Sequence, residues 1–186
     1  MDTLPYAVRT AFPLLFLLVP ALGALLSSRR HPDRPAAEVW QRWWAVGALG
    51  FGSLWVAVAF LIAPSGMADA IGFAHSPFQF EIACANVGFA LLGFRAASAS
   101  ARERLTCGLA AAAFLWGAAA GHLYQWFAHG DHAAGNTGGI LANDLLIPAV
   151  MIALAARDLR RAARTATGPA RTARPVHRAA RLRTHD

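Results

Sequence analysis

The chain has 186 residues, 56% of them hydrophobic and 15% charged, and its mean hydropathy is +0.40. Soluble domains carry about 25% charged residues, so the composition excludes an ordinary soluble protein, and the length fits one membrane-embedded domain. All 17 basic residues are arginines, and a pI near 11.2 would suggest nucleic acid in a soluble chain.

Five apolar runs mark the chain, at residues 6–26, 44–63, 77–94, 105–127 and 140–156. Each approaches the roughly 20 residues that a spanning helix needs. In lipid each must be helical, because its backbone groups find no water to pair with. The first run is read as a true span and not a signal peptide: its apolar part is too long for an h-region, the charge of Arg29, Arg30 and Arg34 comes after it, and no A-x-A site follows it. Pro13 and Pro20 lie inside it and predict kinks.

Charge then sets the orientation. Arg29, Arg30, Arg34 and Arg42 lie between runs one and two, Arg95, Arg102 and Arg104 between three and four, and nine more follow run five. With five spans, only Arg9 falls on the other side. The positive-inside rule then puts the N-terminus outside and the C-terminus in the cytoplasm of an inner-membrane protein. The expected fold is all-α, a bundle of five transmembrane helices over residues 1–156. Residues 157–186 are read as a disordered Arg-rich tail attracted to anionic lipid heads, at about 1 kcal/mol per arginine. No aromatic residues interleave these arginines, so nucleic acid is not the expected partner. Trp126, Phe127, Phe78 and Phe80 suit an outer aromatic belt, and Trp40, Trp43 and Trp44 an inner one.

Several polar residues interrupt these runs. Arg9, Glu81, His122 and Asp144 lie on four different helices, at a common depth of about 6 Å below the outer boundary at 1.5 Å per residue. Gln79, Gln125 and Asn143 lie just above that level and Asn86 just below it. Ionisable groups at mid-bilayer cost roughly 2.5–3.5 kcal/mol each, so they are expected to face inward and pair. The simplest neutral arrangement sets Arg9 between Glu81 and Asp144 with His122 nearby, a site for a proton or a cation. Gln79 and Asn86 share one face of the third helix while Glu81 points elsewhere, which predicts that this helix is the polar centre of the bundle. Pro148 lacks an N–H, so the carbonyl of Asp144 loses its helical partner. Alternatively the layer only holds helices together, aided by Gly47, Gly50, Gly52, Gly117 and Gly121.

His75, His129, Asp131 and His132 form a weak outer metal set, since imidazole and carboxylate suit zinc or copper. Their spacing matches no closed motif, and a solvated glycine loop over residues 128–139 is the simpler reading. Haem is not expected, because only His122 lies well inside a span. Cys84 and Cys107 are read as small buried hydrophobes. No G-x-S-x-G, Walker, Rossmann or HExxH pattern occurs, so enzyme chemistry has little support and the cofactor is left open.

Two segments carry a resemblance. One runs Ser76-Pro77-Phe78-Gln79-Phe80-Glu81 and on through Ala85-Asn86-Val87-Gly88-Phe89. The other joins Gly121-His122-Leu123-Tyr124-Gln125 to Gly135-Asn136-Thr137-Gly138, Asp144 and Pro148. Together they resemble an uncharacterised family of small bacterial multi-pass membrane proteins, a domain of unknown function, over residues 40–156. The resemblance implies an integral membrane protein and no particular activity. Expected functions are a small carrier, proton-linked protein or sensor with its site in the outer leaflet, or else an accessory or assembly subunit of a larger membrane complex. A homo-oligomer is a further possible assembly.

Overall fold

The computed structural model describes residues 3–166, and its elements are all helical. The first rod comprises α1 (Thr3–Ala11), a 3-10 turn (Phe12–Leu14) and α2 (Leu15–Arg30). Pro13 lies within that turn, where a missing N–H and a fixed φ break the α-helical ladder. Pro20 stays inside α2, fully buried. The second rod is α3 (Ala36–Trp43), a π-helical stretch (Trp44–Phe51) and α4 (Gly52–Ile62). A short α5 (Pro64–Ile71) leads to α6 (Phe78–Ala96), α7 (Ala101–His129) and α8 (Gly139–Ala166). Ser100 and Glu103 form a reciprocal capping box that starts α7, and Glu103 also pairs with Arg95 at 2.8 Å.

Among the described residues, four helical rods are long and apolar enough to cross a membrane: Pro5–Arg30, Ala36–Ile62, Ala101–His129 and Gly139–Ala166. At 19 residues α6 is also long enough, but Gln79, Glu81 and Asn86 make it less apolar. Large apolar side chains such as Leu18, Ile62, Phe78, Leu91 and Phe127 stay exposed, as in a bundle that lipid surrounds.

The two ends of the bundle are tied differently. At one end, which we call the arginine end, Gln41 of α3 meets Arg104 of α7 and Asp158 of α8. At the N-terminal end, Tyr6 Oη donates to the His132 carbonyl at 3.1 Å, and Gly135 N donates to the Ala70 carbonyl at 2.8 Å.

The centre differs from the sequence expectation. The core gathers Leu17, Trp44, Ala45, Ala48, Leu49, Ala96, Cys107, Ala111, Ile147 and Met151. The second rod supplies four of these and packs against α2, α6 and α8, so it is central and α6 is not. Polar residues on α6 misled the reading: Gln79 and Asn86 are buried through bonds to their own helix end and backbone, not by a central position. Trp44, expected in an aromatic belt, is a core residue whose indole donates to the Ile147 carbonyl at 3.1 Å. Small residues permit this packing. A Cβ at Gly93 of α6 would lie 2.5 Å from the Gly50 nitrogen of the π-helical stretch.

Cys107 is buried as expected, whereas Cys84 is exposed. α8 continues as a helix to Ala166, beyond residue 156 where the span was expected to give way to a disordered tail. The rest of that tail, residues 167–186, lies outside the described residues.

Candidate functional site

The polar layer separates into one buried cluster and several residues held elsewhere. The cluster starts with the loop between α7 and α8. Gly130, with φ of 64°, terminates α7, and Gly138, with φ of 80°, precedes α8. Between them Asn136 is fully buried. Its Nδ2 donates to the carbonyls of Asp131 at 3.0 Å and His122 at 3.4 Å. Two carbonyl partners fix which end of the amide is nitrogen. Asn136 Oδ1 is therefore the acceptor that stands 2.7 Å from His122 Nδ1.

That bond fixes the histidine. Nδ1 carries the proton that Asn136 Oδ1 accepts, so Nε2 of a neutral ring presents a lone pair. Nε2 stands 4.0 Å from Asp144 Oδ2, an oxygen that is buried and has no hydrogen-bond partner among the described residues. The side chains of His122 and Asp144 are 13% and 5% exposed, so the pair is nearly sealed from solvent. A neutral imidazole and an ionised carboxylate oppose lone pair to negative charge. One proton on either group turns that opposition into an attraction. The ring of Phe73 lies beside His122, with centroids 6.2 Å apart.

Asn143 precedes Asp144 on α8 and reaches a different element. Its Nδ2 donates to the Pro13 carbonyl at 2.9 Å, which ties α8 to the break in the first rod, and its Oδ1 is left without a partner among the described residues. A Cβ at Gly139 would sit 2.6 Å from the Thr10 carbonyl, so glycine is what lets α8 begin against α1.

The remaining layer residues do not join the pair. Arg9 and Glu81 are exposed and form no ion pair among the described residues, so the expected placement of Arg9 between Glu81 and Asp144 is corrected. The reason lies in the rods: Glu81 sits on the exposed face of α6, and Arg9 on the exposed face of α1. Gln79 caps the start of α6, accepting from Ser76 N at 2.8 Å and donating to the Ala74 carbonyl at 3.0 Å. Asn86 Nδ2 bonds the Ile82 carbonyl one turn back at 2.9 Å. Gln125 is half-buried, and its carbonyl accepts from Gly130 N and Asp131 N at the end of α7.

The outer histidines also stay apart. His75 Nε2 pairs with Asp69 Oδ1 at 2.7 Å, His129 stacks edge-on with Tyr124, and His132 with Trp126. Asp131 turns inward and accepts from Ala133 N at 2.9 Å. Among the described residues no three His, Cys, Asp or Glu side chains gather in a way that could hold a metal ion.

Sequence reasoning missed Asn136, which it placed in a solvated turn. The available signal was its position between Gly135 and Gly138, the kind of neighbours that let backbone approach backbone. It also missed the cluster at the arginine end. Gln41 is buried, donates to Asp158 Oδ2 at 2.8 Å and accepts from Arg104, whose Nε donates to the Ala96 carbonyl at 3.1 Å.

Fold and site together describe an all-helical protein whose apolar rods are compatible with a membrane and enclose one buried histidine–aspartate pair. The chain belongs to the family of unknown function DUF6790, whose model matches residues 10–164. That match takes in most of the first rod, which the resemblance read from the sequence had left outside. No curated protein and no solved structure matches the chain.

Proposed function

We propose that this is a five-span membrane protein, N-terminus outside and C-terminus in the cytoplasm, in which His122 and Asp144 handle a proton for a small carrier or sensor. Two observations support the fifth span. Gln79 and Asn86 lower the hydropathy of α6 but are buried, so the surface it offers to lipid is Phe78, Phe80, Val87 and Leu91, with Glu81 the charged residue on it, near its outer end. In addition, α6 begins beside α5 at the N-terminal end and finishes where Ala96 accepts from Arg104 at the other. The arginines of three connecting or terminal segments then share one side, as the positive-inside rule asks.

The single observation that carries the proton reading is the 4.0 Å separation between His122 Nε2 and the partnerless Asp144 Oδ2. Asn136 holds the imidazole in the tautomer that aims a lone pair at the carboxylate. Such a pair changes its interaction by one proton, and intramembrane ionisable groups are functional by default. The test is proton movement into proteoliposomes containing the purified chain, followed with an enclosed pH-sensitive dye under an imposed potential. Wild type should acidify the lumen faster than Asp144→Asn or His122→Ala. Equal rates for all three, with all three folded and inserted, would defeat the proposal.

A second reading, an accessory subunit of a larger membrane complex, is favoured by Arg9 and Glu81. Both remain exposed and, among the described residues, unpaired near the depth of the layer, where a partner chain could neutralise them. Extraction in mild detergent should then recover a stoichiometric partner, and a lone chain from native membranes would count against it.

A further inference from the structure

We infer that one face of α8 is a binding site for an anionic phospholipid. Its headgroup part lies at the opposite end of the bundle from the histidine–aspartate pair, and the site does not depend on that pair having any activity. From Leu145 onward the exposed face of α8 is apolar: Leu145 and Leu146 are about half exposed, and Ala149, Ala153 and Ala156 follow on the same side at helical spacing. The exposed positions that follow include Arg157, Arg160, Arg161 and Arg164. Ala153, Ala156 and these four arginines line one concavity.

The helix itself makes this an array. Because α8 runs unbroken to Ala166, it holds the guanidinium groups in register and not along a flexible strand. Arg157 to Arg164 is seven residues, about 10 Å of helix at 1.5 Å per residue. Two acidic groups at this end are engaged elsewhere: Asp158 accepts from Gln41, and Glu103 pairs with Arg95. Among the described residues, Arg157, Arg160 and Arg161 form no ion pair.

An apolar stripe that turns basic on one face matches the chemistry of a single ligand class. Acyl chains lie along Leu145, Ala149 and Ala153, and a phosphate headgroup sits at the first arginine turns. The small side chains of Ala149, Ala153 and Ala156 leave room for the chains to approach the helix just below the headgroup. Arginine suits the phosphate because its planar fork donates two parallel hydrogen bonds to it.

The experiment uses the full chain in nanodiscs of equal phosphatidylglycerol and phosphatidylcholine, with retained lipid read by native mass spectrometry after release into detergent. Wild type should keep phosphatidylglycerol in clear preference. The triple variant Arg157→Gln/Arg160→Gln/Arg161→Gln should lose that retention on the order of a hundredfold, since three surface arginines each contribute about 1 kcal/mol to anionic-lipid attraction. The charge-matched triple variant Arg29→Gln/Arg30→Gln/Arg34→Gln should change it less than about twofold, because the end of α2 and the turn after it are not part of the α8 stripe. Equal losses in the two triples would reduce the effect to net charge and overturn the site. The preference is first read on wild type, so a variant that fails to fold leaves that arm intact, and absence of preference there also overturns it. If nuclease and not delipidation removes the bound anion, the stripe is a nucleic-acid surface and the inference fails.

Discussion

The two ends of the bundle hold polar clusters of opposite character. At the arginine end, Gln41 bridges Arg104 and Asp158, and Arg104 also donates to backbone carbonyls of the α6–α7 turn. At the N-terminal end, His122 and Asn136 satisfy one another, but Asp144 Oδ2, Asn143 Oδ1 and Asp131 Oδ2 are buried with no partner among the described residues. A satisfied network fixes helices, whereas a buried acceptor left unsatisfied costs roughly 1–3 kcal/mol. Nothing in helix packing calls for that cost at Asp144. Asn143 already ties α8 to the first rod, and Gly139 already allows the close approach. The difference separates two demands: assembly alone can explain the first cluster, while the buried acceptors of the second call for the further role proposed above.

The largest effect on this contrast should come from Asn136. Asn136→Leu removes three side-chain hydrogen bonds and strands His122 Nδ1 and the Asp131 carbonyl in a fully buried place. A loss of about 3 kcal/mol or more is expected, seen as a lower melting temperature in detergent, with loss of proton movement in whatever fraction folds. Next comes Arg104→Ala, which leaves Gln41 half-satisfied and frees the α6–α7 turn. About 2 kcal/mol should be lost, discounted for the partial exposure of Arg104, while the rate per folded molecule stays at the wild-type value. A rate that fell in proportion to stability at Arg104 would erase the division between the ends.

Much of the scaffold was legible before any coordinates. Five apolar runs became five helical rods between two ends, because hydropathy and the 1.5 Å helical rise are properties of local sequence. His122 and Asp144 were picked out by depth and do lie together. Depth alone carries no azimuth, however, and this is why Arg9 and Glu81 were wrongly added to the pair. Asn86 showed the complementary failure: a buried polar residue looks like a site until its i−4 carbonyl is seen to satisfy it. Gln41 and Asn136 were overlooked because their partners lie 117 and 14 residues away, and pairings of that kind leave no periodic trace.

Asp144→Asn offers the sharpest test of what the unsatisfied end is for. The substitution keeps the shape and removes a buried carboxyl group whose oxygen has no partner among the described residues. If the carboxylate is kept for function, stability should be unchanged or rise by up to about 1 kcal/mol while proton movement stops, the usual exchange at a functional site. If the layer is only an adhesive, the same variant should lose stability and no separate function will be detectable. Measured together, melting temperature and dye response therefore separate the two readings in one protein.

The smallest effects should fall at Arg9 and Glu81. Both side chains are exposed, neither makes an ion pair among the described residues, and each lies on a helix whose opposite face does the packing. Arg9→Gln and Glu81→Gln should each shift stability by less than about 0.5 kcal/mol, and the double variant by the sum of the two, since nothing couples them within one chain. Additivity is the informative quantity. A coupling of about 1 kcal/mol or more would mean that the two charges meet after all, through a neighbouring chain that brings one copy's arginine to another's glutamate. In that event the oligomeric state by light scattering should change with the single variants and return in the charge-reversed pair Arg9→Glu/Glu81→Arg, and the exposed charges of the N-terminal end would belong to assembly in the way the arginine-end cluster does.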